Sequence, residues 1–337
     1  MVYLAGGLPN PLSFPFAKAF FKLKNGKSLF IDQEMMSKAL QYGSVQGFEP
    51  LICQLKTAIR KFHGISDLET SNIVITPGGT DALYQCLEML FDENTFVLAE
   101  TPLFGSVTQC IEVYGCKYVA IPRDNFGMKP FALKEEVLKI LKTLKGNEKM
   151  ILYLNYISVK RDEDHILLER LKNIYEIAQE FNIFIVEVDP HFLIHLHKKE
   201  KSPASLLRLD KDERVLRCDT ISSLFGPGWR VGFVTGPKPF IQLIGSHIDM
   251  SMLSASMLSQ VLISETLRCL TEEEQSEYSK LLHENLRNEQ RDLKAAAQRY
   301  LGKNKQCNLL FLILQLMRCY FNILWRFQFP KVYTINQ

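Results

Sequence analysis

The sequence predicts an α/β fold built on a mostly parallel sheet with helices on both faces. Short apolar runs rich in Val, Ile and Phe recur from about residue 50 to about residue 250, and segments with apolar residues three and four apart separate them. Strands that alternate with helices need crossover connections, which run the strands parallel and lay the helices over the sheet. At 337 residues and 47% hydrophobic composition, the chain suffices for one large domain plus part of a second.

Taken in chain order, strand patterns fall at Asn72–Thr76, Thr95–Glu100, Lys117–Ile121, Met150–Leu154, Ile183–Val188, Arg214–Cys218 and Val231–Thr235. Between them, Asp81–Leu90, Leu133–Leu144 and Leu167–Glu180 carry helical spacing. Ligands of such sheets bind in the crevice outside the C-terminal ends of the strands, so the loops there are the ones to search. Residues 271–300 form a charged, helix-favouring stretch. The composition then shifts: Asn308–Trp325, NLLFLILQLMRCYFNILW, is apolar apart from Asn308, Gln315, Arg318 and Asn322. A membrane span needs about 20 apolar residues, and Arg318 sits near the middle of this run. An aberrant or buried tail is therefore expected rather than an anchor.

Charge and cysteine usage narrow the function classes. Forty basic residues against 37 acidic ones give a net charge of +3 with mixed signs, which excludes a dedicated nucleic-acid surface. The eight cysteines (53, 86, 110, 116, 218, 269, 307 and 319) form no CxxC pair and no regular framework, so reduced thiols and a cytoplasmic or mitochondrial location are expected. The opening MVYLAGGLPNP turns to Gly and Pro before any apolar run, and no secretory signal is read from it.

Two loops carry chemistry on their own residues. Thr76-Pro77-Gly78-Gly79-Thr80-Asp81 leaves a strand and opens a helix, where free N–H groups and the helix dipole suit a phosphate and glycine lets the backbone approach it. The same pair of glycines also serves plain turn geometry. Asp189 ends the strand pattern IFIVEVDP, where its carboxylate needs a cationic partner or caps the next turn. A protonated pyridine nitrogen is one such cation. His191, His195 and His197 lack the carboxylate or thiol neighbours of a metal site, so no metal is expected.

Residues 219–236, DTISSLFGPGWRVGFVTG, resemble the cofactor segment of the fold-type I aminotransferases that use pyridoxal 5'-phosphate (PLP). That pattern runs aspartate, hydroxyl, apolar, serine, lysine, with an arginine seven residues on. Asp219, Thr220, Ile221, Ser222, Gly228 and Arg230 fall in place, and Ser223 stands where the family has its lysine. Within the family, the order LAGGLPNP, EMMSKALQY, ITPGGTDAL, LAETPLFG, VEVDP and GFVTGPKP is similar to the kynurenine/α-aminoadipate aminotransferases over roughly residues 1–300.

The resemblance implies the PLP fold-type I architecture with an incomplete small domain. Its divisions are an N-terminal segment at 1–47, a PLP-binding large domain at 48–270, a connecting helix at 271–302 and a divergent apolar tail at 303–337. It implies a homodimer, or a heterodimer with an intact relative, and amino-group exchange between an amino acid and a 2-oxo acid. Carried over residue by residue, Asp189 pairs with the ring nitrogen and Phe104 stacks on the ring. Gly79, Thr80, Thr220, Ser222 and Arg230 form the phosphate cup. Gly7 and Tyr42 line the substrate pocket, Tyr42 from the partner subunit.

The departures matter as much as the matches. A serine hydroxyl forms no imine and is far too weak a base to replace the lysine, so PLP is expected to bind non-covalently and catalysis to be impaired. Lys160 stands for the family asparagine beside the cofactor's 3-hydroxyl, and Phe192 for its companion tyrosine. The expected function is an impaired aminotransferase of kynurenine, 2-aminoadipate or a related amino acid. A non-catalytic PLP-binding or heterodimerising paralogue, or a truncated product without function, stays open beside it.

Overall fold

A computed structural model describes residues 7–101, 103–124, 126–144, 146–155, 164–195 and 204–301. The strands are β1 (Ala19–Lys22), β2 (Ser28–Ile31), β3 (Ile73–Thr76), β4 (Thr95–Glu100), β5 (Lys117–Ile121), β6 (Arg123–Asp124), β7 (Gly127–Met128), β8 (Lys149–Asn155), β9 (Phe184–Val188), β10 (Val215–Thr220) and β11 (Gly232–Thr235). The helices are α1 (Gln33–Leu40), α2 (Glu49–His63), α3 (Gly79–Leu90), α4 (Gly105–Tyr114), α5 (Pro130–Leu141), α6 (Asp164–Glu180), α7 (Ser222–Phe225), α8 (Lys238–Met252), α9 (Met257–Cys269) and α10 (Glu272–Leu301).

Seven strands form the central sheet in the order β3-β11-β10-β9-β8-β4-β5. Pairings from β10 through β5 are parallel, whereas β11 runs antiparallel to both β10 and β3. The mostly parallel sheet read from the sequence is therefore borne out, with one reversed strand that its apolar pattern did not reveal. Because β11 opposes both neighbours, β3 and β10 point the same way. The C-terminal ends of β3, β4, β8, β9 and β10 consequently share one edge with the start of β11.

Residue parity sorts the sheet into two buried faces, as period-two side-chain alternation requires. Ile73, Ile75, Leu98, Leu152, Ile185, Val215 and Phe233 belong to one apolar cluster with residues of α2, α5, α6 and α9. Val74, Val97, Ile151, Val186, Leu216 and Val234 belong to the other, with residues of α3, α4 and α8. Strands covered on both sides read as continuous apolar runs, which is why they were legible in the sequence.

The helix ends follow local chemistry. Asp32 caps α1 by accepting the Met35 N–H at 2.8 Å. Pro50 sits in the first turn of α2, and Gly64 ends that helix in the left-handed region at φ 65° after Arg60, Lys61 and His63. The chain divides into two compact units, Met1–Leu282 and His283–Gln337. Within the first, Leu29, Ile31, Met36 and Ala39 of the N-terminal segment join the core of the sheet domain. Among the described residues no helix is long and apolar enough to cross a membrane. The apolar run at 308–325, Lys160 and His197 lie outside the described residues.

Candidate active site at the C-terminal edge of the sheet

The loop after β3 makes a tight turn into α3. Gly78 adopts φ 92°, which L-residues rarely tolerate, and a Cβ added there would meet the Arg230 guanidinium at 2.5 Å. No side chain caps α3, so the N–H groups of its first turn face outward with the positive end of the helix dipole. Gly232, at the start of β11, packs its α-carbon directly on the Gly78–Gly79 peptide: a Cβ there would lie 2.5 Å from the Gly79 nitrogen. A Cβ on Gly79 would in turn lie 2.9 Å from the Thr220 β-carbon. The turn is thus seated on β10 and β11 by close backbone approach.

Arg230 completes this corner. It is a non-glycine residue in the left-handed region (φ 51°, ψ 50°), a conformation that costs roughly 1 kcal/mol. Its guanidinium donates to the Pro77 carbonyl at 3.0 Å and to the Pro227 carbonyl at 3.4 Å, and the side chain stays exposed. Thr220 Oγ1 lies 3.0 Å from Ser222 Oγ and accepts the Ser222 N–H at 3.2 Å. Ser223 Oγ, in the first turn of α7, is buried without a hydrogen-bond partner. An anion fits this set of donors: a helix N-terminus, two hydroxyls and a guanidinium.

A charged cluster sits beside it on one face of the sheet. Glu187 and Asp189 on and just past β9 share parity with Arg217 and Asp219 on β10, and Arg217 is in register with Glu187. Arg217 is fully buried. Its Nε donates to Asp219 Oδ2 at 2.8 Å, and its NH2 donates to Asp219 Oδ1 at 3.0 Å and Asp189 Oδ2 at 3.0 Å. NH1 lies 3.1 Å from Glu187 Oε2, and Glu187 accepts the Leu206 and Leu207 N–H groups at 2.6 and 3.2 Å. The Arg217 guanidinium also lies 5.1 Å from the Phe192 ring centroid, and that ring stacks on His63 at 4.7 Å. Phe192 is fully buried in this stack.

Burial pushes the Asp219 carboxyl up to about 7, against the pull of Arg217 and with the help of Asp189. A carboxyl that binds its proton more tightly when folded stabilises the fold most below the unfolded value of about 4, and that contribution is lost as the pH rises through the folded value. Asp219→Asn removes the titration. From about pH 5 to about pH 8 the wild type should therefore lose about 3 kcal/mol relative to Asp219→Asn, read by urea denaturation at each pH. Parallel pH profiles for the two proteins contradict this.

Most sequence-predicted residues gather here. Gly79, Thr220, Ser222 and Arg230 surround the α3 turn, Thr80 is exposed in the first turn of α3, and Asp189 lies at the end of the neighbouring strand β9. Phe104 precedes α4 and packs against the core beneath it. Tyr42 is 59% exposed, and among the described residues no hydrogen bond joins Gly7 or Tyr42 to Thr220 or Arg230. No group of metal ligands occurs among the described residues. Sequence reading missed Arg217, His63 and Ser205, whose Oγ lies 2.8 Å from His63 Nδ1. The available signal was the spacing of Glu187/Asp189 and Arg217/Asp219: charged pairs two residues apart, each within or just past an otherwise apolar strand.

Known proteins resemble this chain in sequence and in fold. The family model "Aminotransferase class I and II" matches residues 14–305. A Rattus norvegicus protein, kynurenine/alpha-aminoadipate aminotransferase, mitochondrial, is 33% identical over 281 residues, covering 79% of this chain and 65% of the relative. Its Mus musculus counterpart is 32% identical over 287 residues, covering 81% and 66%. The chain thus spans just under two thirds of the length of these relatives. Among solved structures, a Pyrococcus horikoshii kynurenine aminotransferase in complex with PMP, KYN and KYA superposes with a TM-score of 0.66 at 26% identity, covering 88% of this chain and 70% of that one. Candida albicans Aro8 shares the fold at a TM-score of 0.76 and 22% identity, covering 89% and 70%. PLP is the cofactor of this family. It carries a phosphate, which the Gly78–Arg230 corner fits, and a ring nitrogen, which the carboxylate of Asp189 fits. The match over residues 14–305 and the 33% identity to the rat enzyme place the chain in the class I and II aminotransferase family.

Proposed function

We propose that this chain binds PLP, or its aminated form, without a covalent bond and is impaired as an aminotransferase. One juxtaposition carries the reading: a phosphate corner built at the cost of backbone strain at Arg230 is kept, while the buried, unpartnered group beside it is the Ser223 hydroxyl. In the proposed roles, the first-turn N–H groups of α3, Thr80, Thr220, Ser222 and Arg230 bind the phosphate. Asp189 pairs with the ring nitrogen, and Phe104 offers an aromatic face to the ring. When bound, the cofactor supplies an electron sink for breaking a bond at an amino acid's α-carbon. Ser223 contributes neither the amine that holds the cofactor nor the base that moves the α-proton, because a hydroxyl is too weakly basic at neutral pH.

The ligand class is the amino acids named for the relatives, kynurenine and 2-aminoadipate, and their 2-oxo acid partners. The proposal includes a dimer, either of two copies or with an intact relative, in which Gly7 and the exposed Tyr42 serve the substrate pocket, Tyr42 that of the other subunit. Phe20 and Phe30 pair across β1 and β2 with 67% and 54% of their surfaces exposed, which favours a subunit that covers them.

Equilibrium dialysis with PLP tests the reading. Saturable binding at one site per chain is expected, weakened at least about tenfold in Arg230→Ala, since a charge-assisted phosphate contact is worth about 1.5–3 kcal/mol. Binding that is absent, or indifferent to Arg230, contradicts it.

A further inference from the structure

Arg217 has no role in the phosphate corner, yet among the described residues it is the largest fully buried side chain. One guanidinium there answers three carboxylates. Asp219 occupies its Nε–NH2 edge through both oxygens, at 2.8 and 3.0 Å. Glu187, itself fixed by two backbone N–H groups, lies 3.1 Å from NH1. The hydrogen left on NH2 reaches Asp189 Oδ2 at 3.0 Å. A planar fork held on two sides has little freedom to move, so the third carboxylate takes its orientation from it.

We infer that Arg217 is a positioning residue for Asp189: clamped by Asp219 and Glu187, it fixes the plane of the Asp189 carboxylate toward a protonated ring nitrogen. This rests on the reading of Asp189 as the partner of that nitrogen. Asp219 matters because it engages the guanidinium on both nitrogens of one edge. The positive charge of Arg217 is thereby directed mainly at Asp219, and Asp189 keeps its attraction for the ligand.

The test compares two ligands, PLP and 1-deazapyridoxal phosphate, which has carbon in place of the ring nitrogen. Dissociation constants are measured by fluorescence titration for the wild type, Arg217→Lys and Asp219→Asn, with circular dichroism reporting the fold of each. Arg217→Lys keeps the charge and loses the fork; Asp219→Asn keeps the shape and loses the clamp's charge, and it serves where the lysine variant does not fold. The wild type is expected to prefer PLP by at least about tenfold, as a charge-assisted hydrogen bond to the ring nitrogen implies. In a folded variant that preference should shrink to under about threefold, while affinity for the deaza ligand holds. A merely structural role for Arg217 would weaken both ligands alike. A wild-type preference that survives in the folded variants overturns the positioning role and leaves the Asp189 reading intact. Equal affinity for both ligands in the wild type, or no binding of either, overturns the Asp189 reading and the positioning role with it.

Discussion

Ser223→Lys is expected to convert a non-covalent PLP binder into one that holds the cofactor covalently. Ser223 lies one residue past Ser222 at the start of α7, immediately after β10 delivers Asp219 and Thr220 to the sheet edge. Its oxygen is buried without a partner, so the position has a polar group in place and no bond to defend. A lysine amine condenses with an aldehyde and a hydroxyl does not make that bond. After incubation with PLP and borohydride reduction, the variant should carry about one phosphopyridoxyl group per chain, and peptide mapping should place it at position 223. The control for misfolding is retention of PLP affinity within a few fold. A folded variant that stays unmodified shows that position 223 does not face the aldehyde, and the assignment of Ser223 to the family lysine position fails.

Gly232→Ala carries the second large effect. The added methyl would meet the Gly78–Gly79 peptide, with the Gly79 nitrogen at 2.5 Å. Both sides of that contact are backbone, and Gly232 is held in register with Thr220 on one side and Thr76 on the other. No flexible side chain is available to yield. Overpacking of this kind costs about 3 kcal/mol or more, and relief requires the α3 turn to lift away from β11. The expected result is a loss of that size in chemical denaturation together with a loss of PLP affinity beyond tenfold, about what one charge-assisted contact contributes. A variant of wild-type stability that still binds PLP would falsify the claim that this turn is seated by backbone contact.

Much of the fold was legible because its central strands, apart from the mostly exposed edge strand β5, are buried on both faces. Thr95–Glu100 and Lys117–Ile121 read as strands with the bounds the structure gives them, and the remaining central strands differ only at their ends. The reversal of β11 was not legible. Val231–Thr235 is apolar whichever way it runs, and direction is set by its partners β3 and β10 rather than by its composition. In the site, the turn at Gly78-Gly79 was readable from local chemistry, because Gly-Gly between a strand and a helix is a sequence-local signal, whereas Thr220, Ser222 and Arg230 were read only through the family resemblance. The Arg217 cluster joins residues about thirty positions apart on β9 and β10, and strand register, which no single segment contains, brings them together. Phe192 showed the same limit. The family resemblance sets it at the place of a tyrosine, whereas its burial against His63 and Arg217 follows from tertiary packing alone.

We propose that the chain keeps a PLP site and lacks, at position 223, the amine that would hold the cofactor. Intact-mass spectrometry of the wild-type chain, incubated with PLP and reduced with borohydride, tests it most directly when run beside a dialysis measurement on the same sample. The account predicts saturable binding with no site-specific adduct. A stoichiometric adduct mapped to one lysine, Lys160 included, would contradict it and identify a relocated covalent attachment.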